Sequence, residues 1–422
     1  MQTVRLNHFE ITLGKRGAAR YTKASYPVRY GRFGEIRTAD YLFEINLSGE
    51  IKTVRGLNAN WPHPSEWLKR TVANDWVYYS VGRYHRLFSF LGEYYLPCLS
   101  YASNSPWTYN PFGEPHIKGA LAAASRLQAD LRLLLTNGIP AGLKDDLNRI
   151  VRNSPGALRQ KKKKLHDIIG GAISVLPPDT RHVDYDVIPL MLADGCLYDC
   201  GFCCVKSRQR LKRRPQDNVE RQIRRLKGFY GADLRNYNAL FLGNHDALAA
   251  GNKLICHAAA RAYQAFGFER SYLKNPALFM FGSADSLLDA PDNLFRDLNR
   301  LPFYTYINVG LESADVATLT HINKPLAPGK IRGAFRKMLD INRQYLNVEV
   351  TANFLLGEQL PQAHHDALID LIRSNLNRPY SKGALYLSPL KSSRNSADLL
   401  DQFIEIKNKS RLPTFLYLIQ RL

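Results

Sequence analysis

The stretch from Val187 to Cys204, VIPLMLADGCLYDCGFCC, joins a short apolar run to a loop that holds four of the chain's six cysteines. Val187–Leu192 reads as a strand. Behind it Cys196, Cys200 and Cys203 are spaced CxxxCxxC. Gaps of three and two residues let a loop curl round an iron–sulfur cube, and a four-iron cluster held by three cysteines keeps one iron free for a substrate or cofactor. Gly195 and Gly201 are expected to supply the positive φ that such a curl demands. Backbone N–H groups of the loop would also bond to the sulfurs. Structural zinc is an alternative, but it takes four ligands, commonly in two pairs, and no second pair follows; the next histidine is His245. Cys204 could offer a fourth thiolate, although adjacent side chains tend to diverge. A chance cluster of buried cysteines is the third reading.

Working outward, five more apolar runs follow: Ala239–Leu242, Ala277–Gly282, Thr305–Leu311, Val348–Leu356 and Ala384–Leu387. Between them lie stretches of helical period with basic outer faces, such as VERQIRRLKGFY (219–230) and GKIRGAFRKMLDINRQYL (329–346). Alternation of strand and helix implies parallel pairing through right-handed crossovers, hence an α/β fold. Six such units build either an open doubly wound sheet or a partial barrel, and periodicity does not choose between them.

Upstream the pattern differs. Residues 1–112 alternate in the manner of antiparallel strands, with a hairpin signal at LSGE (47–50), and hold all four tryptophans and eleven of the 23 tyrosines. This aromatic-rich β module reads either as a small sheet cored by its rings or as a surface that covers a substrate. Residues 113–180 form a basic helical linker, with Leu121, Ala124, Leu127, Leu131 and Leu135 on one face and breaks at NGIP and NSPG. Its Lys161–Lys164 run is a solvated helix face or a phosphate-binding surface.

The 422 residues carry 58 lysines and arginines against 37 acidic residues, a formal charge of +21. That balance attracts polyanions or anionic small molecules. Clustered rather than scattered cysteines exclude a disulfide framework, and no apolar run approaches a signal peptide or a membrane span. The chain therefore reads as cytoplasmic, with no membrane partner.

The loop GCLYDCGFCC, with Phe202 just before the third cysteine, resembles the cluster-binding loop of the radical S-adenosylmethionine superfamily. Phe241–Leu248, FLGNHDAL, resembles the FLGDGDAL segment of some of its branches. Val309-Gly310-Leu311-Glu312-Ser313, followed by Leu319 and Ile322-Asn323-Lys324, resembles a GLES…L..INK signature, and Ala352–Gly357 resembles the fifth-strand motif that ends in glycine. The likeness runs from about Asp186 to Ser410 and does not reach the first 180 residues. It departs at GNHD, where relatives have GDGD, and at Gly357-Glu358-Gln359, where many have GLPG.

The resemblance implies a partial (β/α)6 TIM-type barrel over residues 181–422, with its ligands at the carboxyl ends of the strands. It implies Cys196, Cys200 and Cys203 as ligands of a [4Fe-4S] cluster whose fourth iron chelates S-adenosyl-L-methionine. Phe202 would lie beside the cofactor. Gly243 and Asn244 would receive its amino group, while Glu312 and Asn353 would contact its ribose. The chemistry implied is reductive and oxygen-sensitive: a flavodoxin- or ferredoxin-type donor supplies an electron, the cofactor's carbon–sulfur bond breaks, and a deoxyadenosyl radical takes hydrogen from a substrate.

Plainer readings stand beside these. Gly243 serves a tight turn, Asp246 and Asp315 cap helices, His245 faces the cofactor or caps a helix, and Cys98 and Cys256 are small buried side chains. Glu312 is the exception, because a carboxylate buried after an apolar strand is costly unless something satisfies it. No residue identifies the substrate; an anionic metabolite, a peptide, or RNA drawn by Lys206–Arg214 all fit. A non-catalytic basic metal-binding protein that binds nucleic acid is the reading from another class.

Overall fold

A computed structural model describes residues 2–82, 86–99, 101, 104, 107–136, 139–203, 209–374, 382–390 and 396–422. Cys204 and Lys206–Arg208 lie outside the described residues.

The first part of the chain is an antiparallel meander of eight strands paired in chain order. They are β1 (Gln2–Leu6), β2 (Phe9–Arg16), β3 (Arg32–Arg37), β4 (Tyr41–Ile45), β5 (Ile51–Gly56), β6 (Trp67–Arg70), β7 (Trp76–Ser80) and β8 (Leu96–Cys98), with a short helix α1 (Leu87–Leu91) before β8. The LSGE signal is the β4–β5 hairpin: the Asn46 side chain accepts the N–H groups of Ser48 (3.0 Å) and Glu50 (2.9 Å). Most of the rings are core. Tyr78 is fully buried, and Trp67 stacks on Tyr79 with centroids 4.7 Å apart.

Three helices follow, α2 (Pro115–Thr136), α3 (Ala141–Val151) and α4 (Pro155–Ile169). The NSPG break is a cap, with Ser154 Oγ accepting the Ala157 N–H at 3.3 Å. Lys161 and Lys162 pair with Glu50 and Asp75 of the meander, whereas Lys163 and Lys164 are exposed. Half of the Lys161–Lys164 run is therefore a fastening rather than a solvated face.

The remainder holds seven parallel strands. These are β9 (Ile188–Met191), β12 (Ala239–Gly243), β13 (Ala277–Ser283), β14 (Tyr304–Glu312), β15 (Val348–Leu356), β16 (Leu385–Pro389) and β17 (Thr414–Leu416). A two-residue hairpin, β10 (Ala193–Asp194) with β11 (Lys212–Arg213), stands beyond β9. The helices are α5 (Gln216–Tyr230), α6 (Asn252–Phe266), α7 (Ala284–Asp289), α8 (Asp292–Arg300), α9 (Val316–His321), α10 (Pro328–Gln344), α11 (Gln362–Ser374) and α12 (Ser396–Lys409). Each of the six expected strands is present within a few residues of its expected bounds. The seventh, β17, is three residues long and carries no periodic signal. Spatial order equals chain order, without the reversal that defines a doubly wound sheet, so that alternative is excluded.

The meander packs on the amino-terminal ends of these strands. Lys52 and Lys69 hold Asp186 ahead of β9, the Asn236 side chain bonds the backbone of Arg32 ahead of β12, and the Lys274 N–H reaches Ala19 O ahead of β13. One buried apolar cluster runs from Phe9 to Leu422, so the core is continuous across the meander, linker and parallel sheet. A turn at Pro178–Val183 plugs this end from inside. Asp179 accepts from Thr351 Oγ1 and Tyr386 OH, both at 2.7 Å, and Thr351 in turn accepts from Asn308 Nδ2 at 2.9 Å. Burial pushes the Asp179 carboxyl up to about 6.

Candidate functional site

The opposite end, at the carboxyl termini of the strands, opens into a cleft of about 200 Å³. Cys196, Cys200 and Cys203 all line it, with Tyr198, Phe202, His245, Asp246, Glu312, Lys324 and Asn353. Among the described residues none of the eight-stranded meander lines this cleft; the meander lies at the other end of the strands.

The cysteine loop is held at both ends. At its base the Cys196 N–H donates to Gln209 O (3.1 Å), and Gly195 has φ 81°, where an added Cβ would meet Arg210 O at 2.2 Å. At its tip the Gly201 N–H donates to Ile322 O (2.7 Å), and Asn323 Nδ2 donates to Asp199 O (2.9 Å). The Ile322-Asn323-Lys324 segment is thus a brace for the loop. Gly195 has the expected left-handed backbone. Gly201 does not, and a Cβ there would meet only Ile322 O at an ordinary 3.6 Å. Tyr198 OH donates to Asp285 Oδ2 at 2.6 Å, which ties the loop to α7.

Cys196 and Cys200 are free thiols. Burial pushes the Cys200 thiol up to about 12; Lys324 opposes this, while Glu312, Cys196 and Cys203 add to it. Among the described residues no three or more His, Cys, Asp or Glu side chains are grouped tightly enough for a single metal ion. A mononuclear ion gathers its ligands round one centre, whereas a cube spreads three thiolates over three irons.

Glu312 ends β14 at φ 66°, on a bulge relative to β15, and is 8% exposed. Lys324 answers the charge: its Nζ lies 3.3 Å from Glu312 Oε1 and donates to Gly310 O at 2.8 Å. A Cβ at Gly310 would stand 2.5 Å from Glu312 Oε1, so a side chain there would displace the carboxylate. The sequence placed Lys324 in a motif without giving it a task; its signal was a lone lysine twelve residues beyond a carboxylate that needed a partner.

Asn353 is buried and exchanges two hydrogen bonds with Asn308, 2.6 and 3.2 Å long. One amide hydrogen and one lone pair remain for the cleft. At the end of β12 the cleft wall is His245 and Asp246, and neither Gly243 nor Asn244 is among the lining residues. Gly243 is explained by packing, because a Cβ would approach Met191 Cε to 2.6 Å. Asn244 Oδ1 and Asp246 Oδ2, however, are buried acceptors with no partner among the described residues. Asp246 Oδ1 takes Ser286 Oγ (2.8 Å) and the Ala249 N–H (3.2 Å), and burial raises its pKa. Burial lowers the pKa of His245, favouring the neutral ring.

Asp315 is a cap, accepting the Thr318 N–H at 2.8 Å. Cys98 lies in β8, buried, and Cys256 bonds Asn252 within α6; neither is among the residues lining the cleft. Sequence reasoning missed Ser313 and His364. The Ser313 hydroxyl and His364 Nδ1 are 2.8 Å apart, and His364 Nε2 donates to Leu355 O at 3.0 Å, locking the ends of β14 and β15 to α11. Among the described residues no helix is long and apolar enough to cross a membrane.

No family model and no curated protein matches the chain. Matching solved structures include Streptococcus suis SuiB bound to its precursor peptide SuiA, with 13% identity and a TM-score of 0.36 over 77% of this chain and 67% of that one. A radical S-adenosylmethionine methyltransferase from Sphaerobacter thermophilus matches at 15% identity and TM-score 0.37, over 72% of this chain and 89% of that one. The cobalamin-dependent S-adenosylmethionine radical enzyme OxsB matches at 13% and 0.34, over 57% of this chain and 34% of that one. Overlaps this shallow do not fix an activity.

Proposed function

We propose that the chain is a radical S-adenosylmethionine enzyme, with residues 181–422 as a partial (β/α)6 barrel core extended by β17, acting on an anionic substrate. In this division residues 1–112 and 113–180 are structural, closing the end of the core away from the chemistry. The observation that carries the reading is the convergence, in one cleft, of three cysteines from a single braced loop with Glu312 and Asn353. A [4Fe-4S] cluster fits that donor set, because its charge would replace the proton that burial keeps on Cys200 and each of the three sulfurs would take one iron.

When bound, the cluster supplies one-electron reductive cleavage of S-adenosylmethionine, with an electron from a flavodoxin- or ferredoxin-type donor, and so hydrogen abstraction from the substrate. The chain's own residues bind and orient. Asp246, in the cleft wall, suits the ammonium group of a methionine moiety. Glu312, held by Lys324, and the free half of the Asn353 amide suit ribose hydroxyls. Phe202, Phe281 and Tyr417 give the cleft apolar walls that exclude water.

The test is anaerobic reconstitution with iron and sulfide, then reduction in the presence of S-adenosylmethionine. The expected result is a brown protein with about four irons per chain that releases 5′-deoxyadenosine. A colourless protein with stoichiometric zinc and no deoxyadenosine would refute the reading.

A further inference from the structure

Beside the cysteine loop, on the far side of its base, lies a second concavity of about 410 Å³. Its cations are Lys212, Arg213 and Arg214 from β11 and the residue after it, and Arg221 and Arg225 from α5; its carboxylates are Asp167 and Asp194. Arg214 grips Asp194 through Nε at 2.8 Å and donates to Ile169 O at 2.8 Å, so that pair is spent on building the floor. Arg221 has only an exposed partner one turn away, Asp217 at 2.7 Å. Lys212, Arg213 and Arg225 have no carboxylate within ion-pair distance among the described residues, and all three are exposed. The start of α5 also faces the concavity through Pro215 and Asn218.

We infer that this groove binds the phosphodiester backbone of a single-stranded nucleic acid, and that a base of the same strand enters the cysteine-lined cleft. The inference names the substrate class for the function proposed above and rests on that reading for its chemistry. Three features favour a phosphodiester over an acidic peptide. Arginine forks match phosphate oxygens two at a time. Ile168 and Pro215 are the only apolar residues besides Gly170 in the lining, whereas peptide recognition relies on pockets for side chains. The groove also adjoins the cysteine loop: Asp194 in its lining stands two residues before Cys196, whose N–H donates to Gln209 O, three residues before Lys212. Chemistry on a base in a closed cleft requires that base out of its stack, and Tyr198, Phe202 and Phe281 offer it ring faces.

The test is binding to the intact chain, read by fluorescence anisotropy with ~20-nucleotide single-stranded RNA and DNA of one sequence and with a labelled poly-glutamate peptide, at rising salt. Lys212→Glu/Arg225→Glu is expected to weaken nucleic-acid affinity about tenfold or more at low salt and to lower the slope of log K against log salt by about one. Lys212→Gln/Arg225→Gln, a milder change, is expected to give a smaller loss in the same direction. Lys118→Glu/Arg126→Glu, at exposed positions of α2, alters net charge equally and should leave affinity within about twofold. Equal affinity for RNA and DNA means that the backbone alone is read; a preference for RNA adds 2′-hydroxyl contacts; both support the groove. Equal losses in the groove and α2 variants, or tighter binding of poly-glutamate than of either nucleic acid, overturn it. No turnover is involved, so failure here leaves deoxyadenosine release untouched, and failure of that release leaves the binding result standing.

Discussion

Replacing Lys324 by methionine removes the cation that, among the described residues, pairs with Glu312, while keeping the length of the side chain. Both groups are buried, with side-chain exposures of 4% and 11%, and their charged atoms are 3.3 Å apart. Removing one partner of such a pair costs about 3–5 kcal/mol, because the other charge is left without compensation. Glu312 borders the cleft, and water there recovers part of that loss, so about 3 kcal/mol is the working figure. With an unfolding entropy of about 2.1 cal/mol/K per residue, a chain of 422 residues unfolding as one unit has about 0.9 kcal/mol/K. Lys324→Met should therefore lower the melting temperature by about 3 °C, read by differential scanning calorimetry. Adding Glu312→Gln should return about half of that or more, since the orphaned charge is then gone. An unchanged melting temperature in Lys324→Met, or a double variant whose loss equals the sum of the two single losses, would show that the pair is not coupled. Lys324 would then have no part in positioning Glu312.

Cys200→Ala should lose about half or more of the iron bound after reconstitution, and deoxyadenosine release with it, whereas Cys256→Ala, away from the cleft, should keep both. Gly195→Ala places a Cβ on a left-handed backbone 2.2 Å from Arg210 O; a cost of about 2 kcal/mol or more, seen as a lower melting temperature, is expected together with weaker iron retention. Asp179 has its carboxyl raised to about 6 in the fold from 3.8. The native state therefore holds more protons than the unfolded chain between those values, and this group's stabilisation is full below about 4 and lost as pH rises through about 6. Asp179→Asn should remove that component: the difference in melting temperature between variant and parent should change by the equivalent of about 2–3 kcal/mol between pH 4 and 7, and a constant difference would refute the assignment.

The features legible beforehand are those written in neighbouring residues. The strands β9 and β12 to β16 announce themselves as apolar runs, and the cysteine spacing and Gly195 describe a loop that curls locally. The misses share a cause. The three-residue β17 is recruited by pairing with β16, and Gly201 needs no positive φ because its N–H simply reaches Ile322 across the cleft edge. In α2 the buried stripe runs through Ile117, Ala120, Ala124, Leu127, Leu131 and Leu134, a slight rotation from the expected face that contacts with α3 and β5 select.

The sequence by itself therefore determined the order of strands and helices, the CxxxCxxC loop and the carboxylate that would need a partner. Each of these depends on period or spacing within a dozen residues. Tertiary structure alone decided that the aromatic meander packs on the amino-terminal end of the strands, that Lys324 answers Glu312, and that Asn244 and Asp246 hold buried acceptors. Such pairings join residues brought together only when successive strands wind in one direction, and the burial that makes an unmet charge or acceptor costly exists only once the sheet has closed around it.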